Sequence, residues 1–219
     1  MDTRKLLAEL IGTFVFFLAG LMSVLAMRAA GNTVDLVVIA FGFGLGLFAA
    51  IQVAGAVSGG HFNPAVTIGA VLDKRIDPVN AAGYIIAQLI GGIGAAALVL
   101  TMSSQADVAG TRTVPGKGVS DIQALVLEIV FTAIFVAVIL TVTKLNADRA
   151  FIVIPLTLVA IHVALIPITG ASVNPARSIA SALIGGDLTS LWIYIVGPIV
   201  GAVGGWAVYR VLLDEPAKA

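Results

Sequence analysis

Long apolar stretches alternate with short polar connections along most of this chain. Six of the stretches reach about 20 residues, the length that an α-helix needs to cross the hydrocarbon core of a bilayer. Charged and turn-forming residues fill the connections, as at 73–78 and 144–149. The pattern predicts six transmembrane helices, over residues 6–27, 34–56, 79–102, 122–143, 150–169 and 189–212.

Two further apolar segments, 58–72 and 170–185, each contain a proline that would break a spanning helix. About ten apolar or small residues follow Pro64 and Pro175, enough for half a membrane at about 1.5 Å per residue. Irregular backbone is tolerated at membrane depth only where protein buries it or a water-filled cavity solvates it. We therefore predict two re-entrant segments, each an irregular strand followed by a half-helix.

The composition excludes several classes of protein. Of the 219 residues, 59% are apolar and 11% are charged, whereas a soluble domain is roughly 45–50% apolar and about 25% charged. A soluble globular protein is excluded, and a disordered one more firmly. Twelve Lys and Arg balance twelve Asp and Glu, and no basic block exists that could hold nucleic acid. Because the chain has no cysteine, disulfides, Cys-ligated metals and thiol catalysis are also excluded, and we predict no metal and no cofactor.

Basic residues near the ends of the spans predict the orientation. Eight of them fall on the side that carries both termini and three on the other side, which places both termini in the cytoplasm. A cleaved signal peptide over 1–27 is the alternative, but the apolar run is too long for one and contains Glu9. The eight are Arg4, Lys5, Lys74, Arg75, Lys144, Arg149, Arg210 and Lys218, and the three are Arg28, Arg112 and Lys117.

Three short segments of the first half have counterparts in the second half, in the same order. Each half contains three spans and one re-entrant segment, and because three is odd the halves must insert with opposite topology. Inverted repeats of this kind place a binding or conduction site near the bilayer midplane. The matched pairs are 8–14 with 127–133, 62–66 with 173–177, and 88–94 with 198–204. We predict one domain over 1–219, with repeats at about 1–102 and 120–213 and a linker loop at 103–119.

Asn63 and Asn174 stand where the two half-helices are expected to begin. Asn is a favourable N-cap residue, and Pro64 and Pro175 at the first helical position lose no hydrogen bond. The positive ends of the two half-helices would then meet at the midplane. A cation would meet an electrostatic barrier there, whereas a neutral polar molecule would meet two amide donors.

These features resemble the major intrinsic protein, or aquaporin, family over essentially the whole chain. The resemblance rests on the six spans, on the repeated membrane acids Glu9 and Glu128, and on two Asn-Pro-Ala boxes in register. It implies an all-α integral membrane protein with six transmembrane helices plus two re-entrant half-helices in an inverted repeat. It also implies a channel rather than an enzyme, a homotetramer in lipid, and a bacterial-type member in the inner membrane. The boxes are Asn63, Pro64, Ala65 and Asn174, Pro175, Ala176.

The resemblance implies a selectivity filter of Phe43, His162, Ala171 and Arg177 on the extracellular side of the Asn pair. In the family, Phe with His narrows the pore toward the width of water. Glycerol-conducting relatives typically have a smaller residue in place of this His and an Asp after the Arg, whereas Ser178 follows the Arg here. Both features favour water as the permeant. With no cysteine in the filter, we expect no inhibition by mercury through a pore thiol.

Other interpretations of these residues stay open. Arg177 is the only basic residue placed deep in the membrane, where a charge usually has a function, but an Arg can also extend to the interface. His162 could be a hydrogen-bonded packing residue, and Phe43 could face lipid. Only the spacing from the two boxes assigns all three to the pore.

The buried acids Glu9 and Glu128 are expected to be structural, accepting hydrogen bonds from N–H groups of the re-entrant segments. A proton relay is the alternative, since any acid within the membrane raises it. Carbonyl groups of the same segments are expected to line the file of permeating molecules. They belong to Gly59, Gly60, His61, Gly170, Ala171, Ser172 and Val173.

Together these features favour a passive water-selective channel. A facilitator of small neutral solutes such as glycerol, urea or ammonia is the first alternative. A membrane junction protein with a vestigial pore is another, which the intact boxes and short loops oppose. Ion-coupled transport is less favoured, because no acidic pair lies near the midplane.

Overall fold

The computed structural model describes residues 2–31 and 35–213. Within these ranges six helices are long and apolar enough to cross a membrane. Two shorter helices follow the two predicted re-entrant strands, and a helix of five residues lies in the longest connection. In chain order the helices are α1 (Thr3–Ala29), α2 (Leu36–Ser58), α3 (Pro64–Leu72), α4 (Pro78–Thr101), α5 (Gln105–Ala109), α6 (Asp121–Leu145), α7 (Ala147–Thr169), α8 (Pro175–Gly185) and α9 (Ile193–Leu213).

This architecture confirms the predicted fold class of six spanning helices and two half-helices. The helix bounds follow from local caps: the Asp77 carboxylate accepts hydrogen bonds from the N–H groups of Val79 and Asn80, where α4 begins. The basic residue Lys218, used above for the orientation, lies outside the described residues.

Two local features differ from the predicted pattern. The segment Ile51–Gly55 of α2 is π-helical. The predicted linker loop 103–119 contains α5, which begins at a capping box formed by Ser104 and Asp107. A helix of five residues is too short to show a hydrophobic period, so only the capping residues could have indicated it.

Proline alone does not separate the half-helices from the spans. Pro155 and Pro167 lie inside α7, and Pro198 lies inside α9. The half-helices begin at their prolines because the preceding Asn63 and Asn174 have extended backbones, with φ of −160° and −152°, and cap the helix.

The two halves repeat the same packing. Helix α1 packs against α4, and its counterpart α6 packs against α9. A Cβ atom at Gly91 would lie 2.3 Å from the carbonyl oxygen of Leu10, and one at Gly201 would lie 2.5 Å from that of Ile129. Glycine is therefore required at both contacts. Each half-helix packs against the third span of the other half, α3 on α9 and α8 on α4, which places the two boxes together.

Candidate functional site

Each Asn-Pro-Ala box caps its own half-helix. The Oδ1 atom of Asn63 accepts a hydrogen bond from the N–H of Ala65 at 2.8 Å. In the second box, Oδ1 of Asn174 accepts from the N–H groups of Ala176 at 3.1 Å and Arg177 at 3.4 Å. The caps fix both side-chain amides with the oxygen toward the helix and the donor group away from it.

The amide donors cross between the halves. Nδ2 of Asn63 donates to the carbonyl of Val173 at 2.8 Å, and Nδ2 of Asn174 donates to the carbonyl of Phe62 at 3.0 Å. Each Nδ2 group carries two hydrogens, so one donor on each Asn stays available after this contact. Both Asn side chains line the same internal cavity.

Glu9 organises the first re-entrant segment from inside α1. Its fully buried carboxylate accepts from the hydroxyl of Ser58 at 2.7 Å and from the N–H groups of His61 at 2.9 Å and Phe62 at 2.7 Å. A fourth donor is Nε2 of Gln88, at 2.7 Å. Buried polar groups of the strand are thereby satisfied.

Glu128 has the equivalent place in the second half. Its buried carboxylate accepts from the hydroxyl of Thr169 at 2.7 Å and from the N–H groups of Ser172 at 3.0 Å and Val173 at 2.8 Å. No side-chain amide donates to it among the hydrogen bonds of the described residues. Both acids therefore bind backbone N–H groups of a re-entrant segment.

Two buried tyrosines complete these networks, and the sequence analysis missed them. The Tyr84 hydroxyl donates to the carbonyl of Ser58 at 2.8 Å, and the Tyr194 hydroxyl donates to that of Thr169 at 2.7 Å. The residue offset between the two boxes pairs Ser58 with Thr169, and the offset between the matched segments 88–94 and 198–204 pairs Tyr84 with Tyr194. An extended repeat alignment would therefore have found both pairs.

A cavity of about 330 Å³ runs along the two boxes. Among the described residues that line it, Arg75 and Arg177 are the only charged ones, and no acid is present. Most of the predicted filter and carbonyl residues and both box asparagines line this cavity. The predicted residues outside its lining are Gly170, Ala171 and the Pro and Ala residues of the boxes, Pro64, Ala65, Pro175 and Ala176. The predicted residues that do line it are Phe43, Gly59, Gly60, His61, Asn63, His162, Ser172, Val173, Asn174 and Arg177.

Three of the predicted filter residues lie together. The rings of Phe43 and His162 stack, with centroids 4.8 Å apart and an interplanar angle of 29°. The guanidinium carbon of Arg177 lies 5.1 Å from the centroid of the Phe43 ring. Nδ1 of His162 lies 3.0 Å from the carbonyl of Leu158, and Nη1 of Arg177 donates to the hydroxyl of Ser181 at 3.2 Å. Nε2 of His162 and Nε of Arg177 are buried without a hydrogen-bond partner among the described residues.

The other two residues considered at the filter have a different environment. Ala171 is fully buried at a φ of +52°, and its N–H donates to the Thr169 hydroxyl at 3.1 Å. The Ser178 hydroxyl lies 2.7 Å from that of Thr113 and 2.6 Å from that of Ser172. Ser178 is therefore hydrogen-bonded behind the pore wall and does not line the cavity.

Six spanning helices around an internal cavity, with two half-helices meeting inside it, define a multi-pass membrane channel. The sequence model described as Major intrinsic protein matches residues 1–209. The chain is 42% identical to Aquaporin Z of Photorhabdus laumondii, over 97% of this chain and 98% of that protein. It is 40% identical to Glycerol uptake facilitator protein-like 6 of Lactiplantibacillus plantarum, over 97% and 99%.

A solved structure agrees with these relatives. The X-ray structure of the aquaglyceroporin from Plasmodium falciparum matches with a TM-score of 0.88 at 25% identity, over 96% of this chain and 97% of that one. The chain belongs to the major intrinsic protein family, whose members are channels and not enzymes. The family predicted from the two boxes is thus confirmed.

Proposed function

We propose that this protein is a passive water-selective channel, which conducts water in single file down an osmotic gradient and excludes protons and ions. The observation that carries the proposal is the cluster of Phe43, His162 and Arg177 at one end of the cavity. The two rings stack on each other there, and a guanidinium lies beside the Phe43 ring. We infer that this cluster narrows the route toward the width of a water molecule.

The unpartnered nitrogen atoms support water as the permeant. Nε2 of His162 and Nε of Arg177 are buried without a protein partner, and a buried polar group is costly unless something hydrogen-bonds it. Water satisfies both groups in turn, because it is small and is both donor and acceptor. A larger solute would have to displace the rings or the guanidinium from their mutual contacts.

At the centre, Asn63 and Asn174 act on one water molecule at a time. The spare Nδ2 hydrogens donate to its oxygen, so its own hydrogens point along the pore and cannot continue a proton wire through the oxygen. The positive ends of α3 and α8 and the charge of Arg177 repel cations. Apolar side chains such as Val66 and Ile154 form much of the remaining wall.

The remaining assignments follow from this proposal. Glu9 and Glu128 are structural acids, and the carbonyls of the re-entrant segments line the route where these segments border the cavity, at Gly59, Gly60, His61, Ser172 and Val173. The working unit is a homotetramer in lipid, one pore per subunit, in a bacterial inner membrane with both termini in the cytoplasm. The chain is one domain over 1–219, and it uses no cofactor.

A facilitator of small neutral solutes is the second candidate. The names of one relative and of the solved structure, a glycerol uptake facilitator-like protein and an aquaglyceroporin, favour it. The stacked Phe43 and His162 oppose it, as does Ser178 at the position where glycerol-conducting members have an Asp. The two candidates differ in one measurable quantity, the ratio of glycerol to water permeability.

Stopped-flow light scattering on proteoliposomes measures that ratio. With an impermeant osmolyte we expect fast shrinkage, and with glycerol we expect shrinkage without rapid reswelling. Phe43→Ala should admit glycerol, whereas Phe48→Ala should not, since Phe48 lies on the same helix but packs on Phe151 outside the cavity. Rapid glycerol entry through the wild-type protein would replace the first candidate with the second.

A further inference from the structure

At the end opposite Arg177, the pore cavity meets a second, polar cavity of about 330 Å³. Three residues line both cavities: Ser58, His61 and Arg75. A molecule that moves between the two spaces passes these three side chains. Two of them are already part of the first re-entrant segment, whereas Arg75 lies beyond the end of α3 and has no role in the function proposed above.

The guanidinium group of Arg75 is held from three sides. Nε donates to the carboxylate of Asp73 at 2.7 Å, and Nη1 donates to the hydroxyl of Thr143. Nη2 donates to the carbonyl of Leu140 at 2.9 Å and lies 3.4 Å from the hydroxyl of Tyr209. The group also lies over the Tyr209 ring, 5.7 Å from its centroid.

These contacts join three elements of the fold. Arg75 and Asp73 follow α3, Leu140 and Thr143 belong to α6, and Tyr209 belongs to α9. A half-helix of nine residues is about 13 Å long and stiff. The position of its last turn therefore affects the position of Asn63, which caps its first turn.

We propose that Arg75 is a positioning residue for permeation, which clamps the end of α3 to α6 and α9 and so fixes both the mouth of the pore and the Asn63 amide. The inference rests on the proposed function. It assigns the clamp to the forked geometry of the guanidinium rather than to its charge. Lysine carries the charge but cannot donate in several fixed directions at once.

The other half provides a matched control. Arg112 donates from Nε to the carbonyl of Ala109 at 3.0 Å and from Nη1 to the carbonyl of Asp187 at 3.1 Å. It also pairs with the Asp187 carboxylate at 2.6 Å, just after the end of α8. Arg112 does not line the pore cavity. Its partners belong to the short helix α5 and to the loop after α8, whereas Arg75 is joined to two spanning helices. Removal of Arg112 therefore tests the loss of an Arg–Asp pair at a half-helix end without loss of a contact to a spanning helix or a change at the mouth.

The experiment compares wild type, Arg75→Ala, Arg75→Lys and Arg112→Ala in proteoliposomes, with equal amounts of protein that elutes as a single species. Water permeability and its activation energy are measured by stopped flow at several temperatures. We expect both Arg75 variants to lose water permeability, by about fivefold or more for Ala, since small displacements in a site have large effects on rate. The activation energy should rise, and Arg112→Ala should behave as wild type.

Several outcomes would overturn the inference. Wild-type permeability in both Arg75 variants would do so, and so would an equal loss in Arg112→Ala. A loss with unchanged activation energy would also contradict it, because that result means fewer folded channels rather than an altered pore. If wild type itself fails to conduct water, the proposed function fails, a result distinct from normal conduction by every variant.

Thr143→Val tests the clamp with less risk to folding, because it removes one acceptor of Arg75 at nearly constant side-chain volume. It also removes the hydrogen bond of the Thr143 hydroxyl to the carbonyl of Ile139, a residue that lines the pore cavity. We expect a smaller loss of permeability in the same direction, with a raised activation energy. Thr141→Val on the same helix, whose residue lies in neither cavity, should have no effect. Equal behaviour of the two Thr variants would contradict the clamp.

Discussion

The two Asn-Pro-Ala boxes are supported by nearly the same hydrogen bonds, although they come from halves of the chain with opposite topology. In each half a carboxylate on the first helix, Glu9 or Glu128, binds two consecutive N–H groups of the re-entrant strand. A tyrosine on the third spanning helix of each half, Tyr84 on α4 or Tyr194 on α9, donates to a carbonyl at the start of that strand. The repeated network indicates which hydrogen bonds stabilise a re-entrant box at membrane depth.

The backbone repeats as well, including its strained part. Phe62 and Val173 occupy equivalent positions, and both have a left-handed backbone, with φ of +48° and +43°. Such a conformation is unfavourable for a bulky or β-branched residue. It persists in both halves because it directs each carbonyl at the Asn amide of the other half.

The halves differ at some of the equivalent positions that line the cavity in both halves. Val66 in the first half corresponds to Arg177 in the second, and both line the cavity. The scaffold is therefore shared, whereas the charged residue that follows the second box has no charged counterpart at the equivalent position after the first box. Other differing pairs are His61 with Ser172, Gln88 with Pro198, and Gly60 with Ala171.

The largest expected effect is the loss of a buried acid. Glu9→Leu and Glu128→Leu each leave three donors without a partner, and an unsatisfied buried donor costs about 1–3 kcal/mol. Glu9→Leu also removes one of the two hydrogen bonds of Gln88 Nε2, which keeps its bond to the Thr67 hydroxyl. We expect each variant to lose at least about 3 kcal/mol of stability, and Glu9→Leu to lose more. Thermal unfolding in detergent measures the order. Equal loss in the two variants would show that Gln88 contributes nothing to the first network.

The second prediction concerns a substitution that gives the second half the residue found at the equivalent position of the first half. Arg177→Val removes the guanidinium beside the stacked rings and should raise glycerol permeability about tenfold, since size selection in a pocket is worth about that much. Proton or cation leak should also rise. Val66→Ala is the control, because it also removes atoms from the cavity wall but leaves the Phe43 and Arg177 contact intact. An unchanged glycerol permeability in Arg177→Val would contradict the assignment of the filter.

The spans and boxes could be predicted because their causes are local in the sequence. About twenty apolar residues in a row predict a spanning helix, and Asn followed by Pro predicts a capped helix start. The contact of Arg75 with Thr143 joins residues 68 positions apart. No local sequence pattern indicates that pair, so only the folded structure shows which residues form the mouth of the pore.

The filter is an intermediate case. Phe43, His162 and Arg177 were assigned from their spacing to the boxes, and the structure brings them together. Spacing did not show that the Ser178 hydroxyl points behind the pore wall to Thr113. The direction of a side chain depends on its neighbours in the folded structure, so it cannot be predicted from the position of the residue in the sequence.

The third prediction concerns the backbone at one equivalent pair. Gly60 has a φ of +68° and Ala171 a φ of +52°. A Cβ atom at Gly60 would lie 3.2 Å from Cα of Gly55, so Gly60→Ala should cost about 1–2 kcal/mol. Ala171→Gly removes the same strain but adds unfolded-state entropy, so we expect a gain below about 1 kcal/mol. Chemical or thermal unfolding checks the opposite signs, and the same sign in both variants would contradict the comparison.

The smallest expected effect tests whether the halves are energetically as well as geometrically equivalent. Tyr84→Phe and Tyr194→Phe each remove one buried hydrogen bond of nearly equal length, 2.8 and 2.7 Å. Each should cost about 1 kcal/mol, and the double variant should show the sum, because the two sites share no partner. Tyr209→Phe is the control and should cost less, since its hydroxyl lies 3.4 Å from Arg75. A clear difference between the first two variants in thermal unfolding would mean that one network holds its box more tightly than its counterpart does.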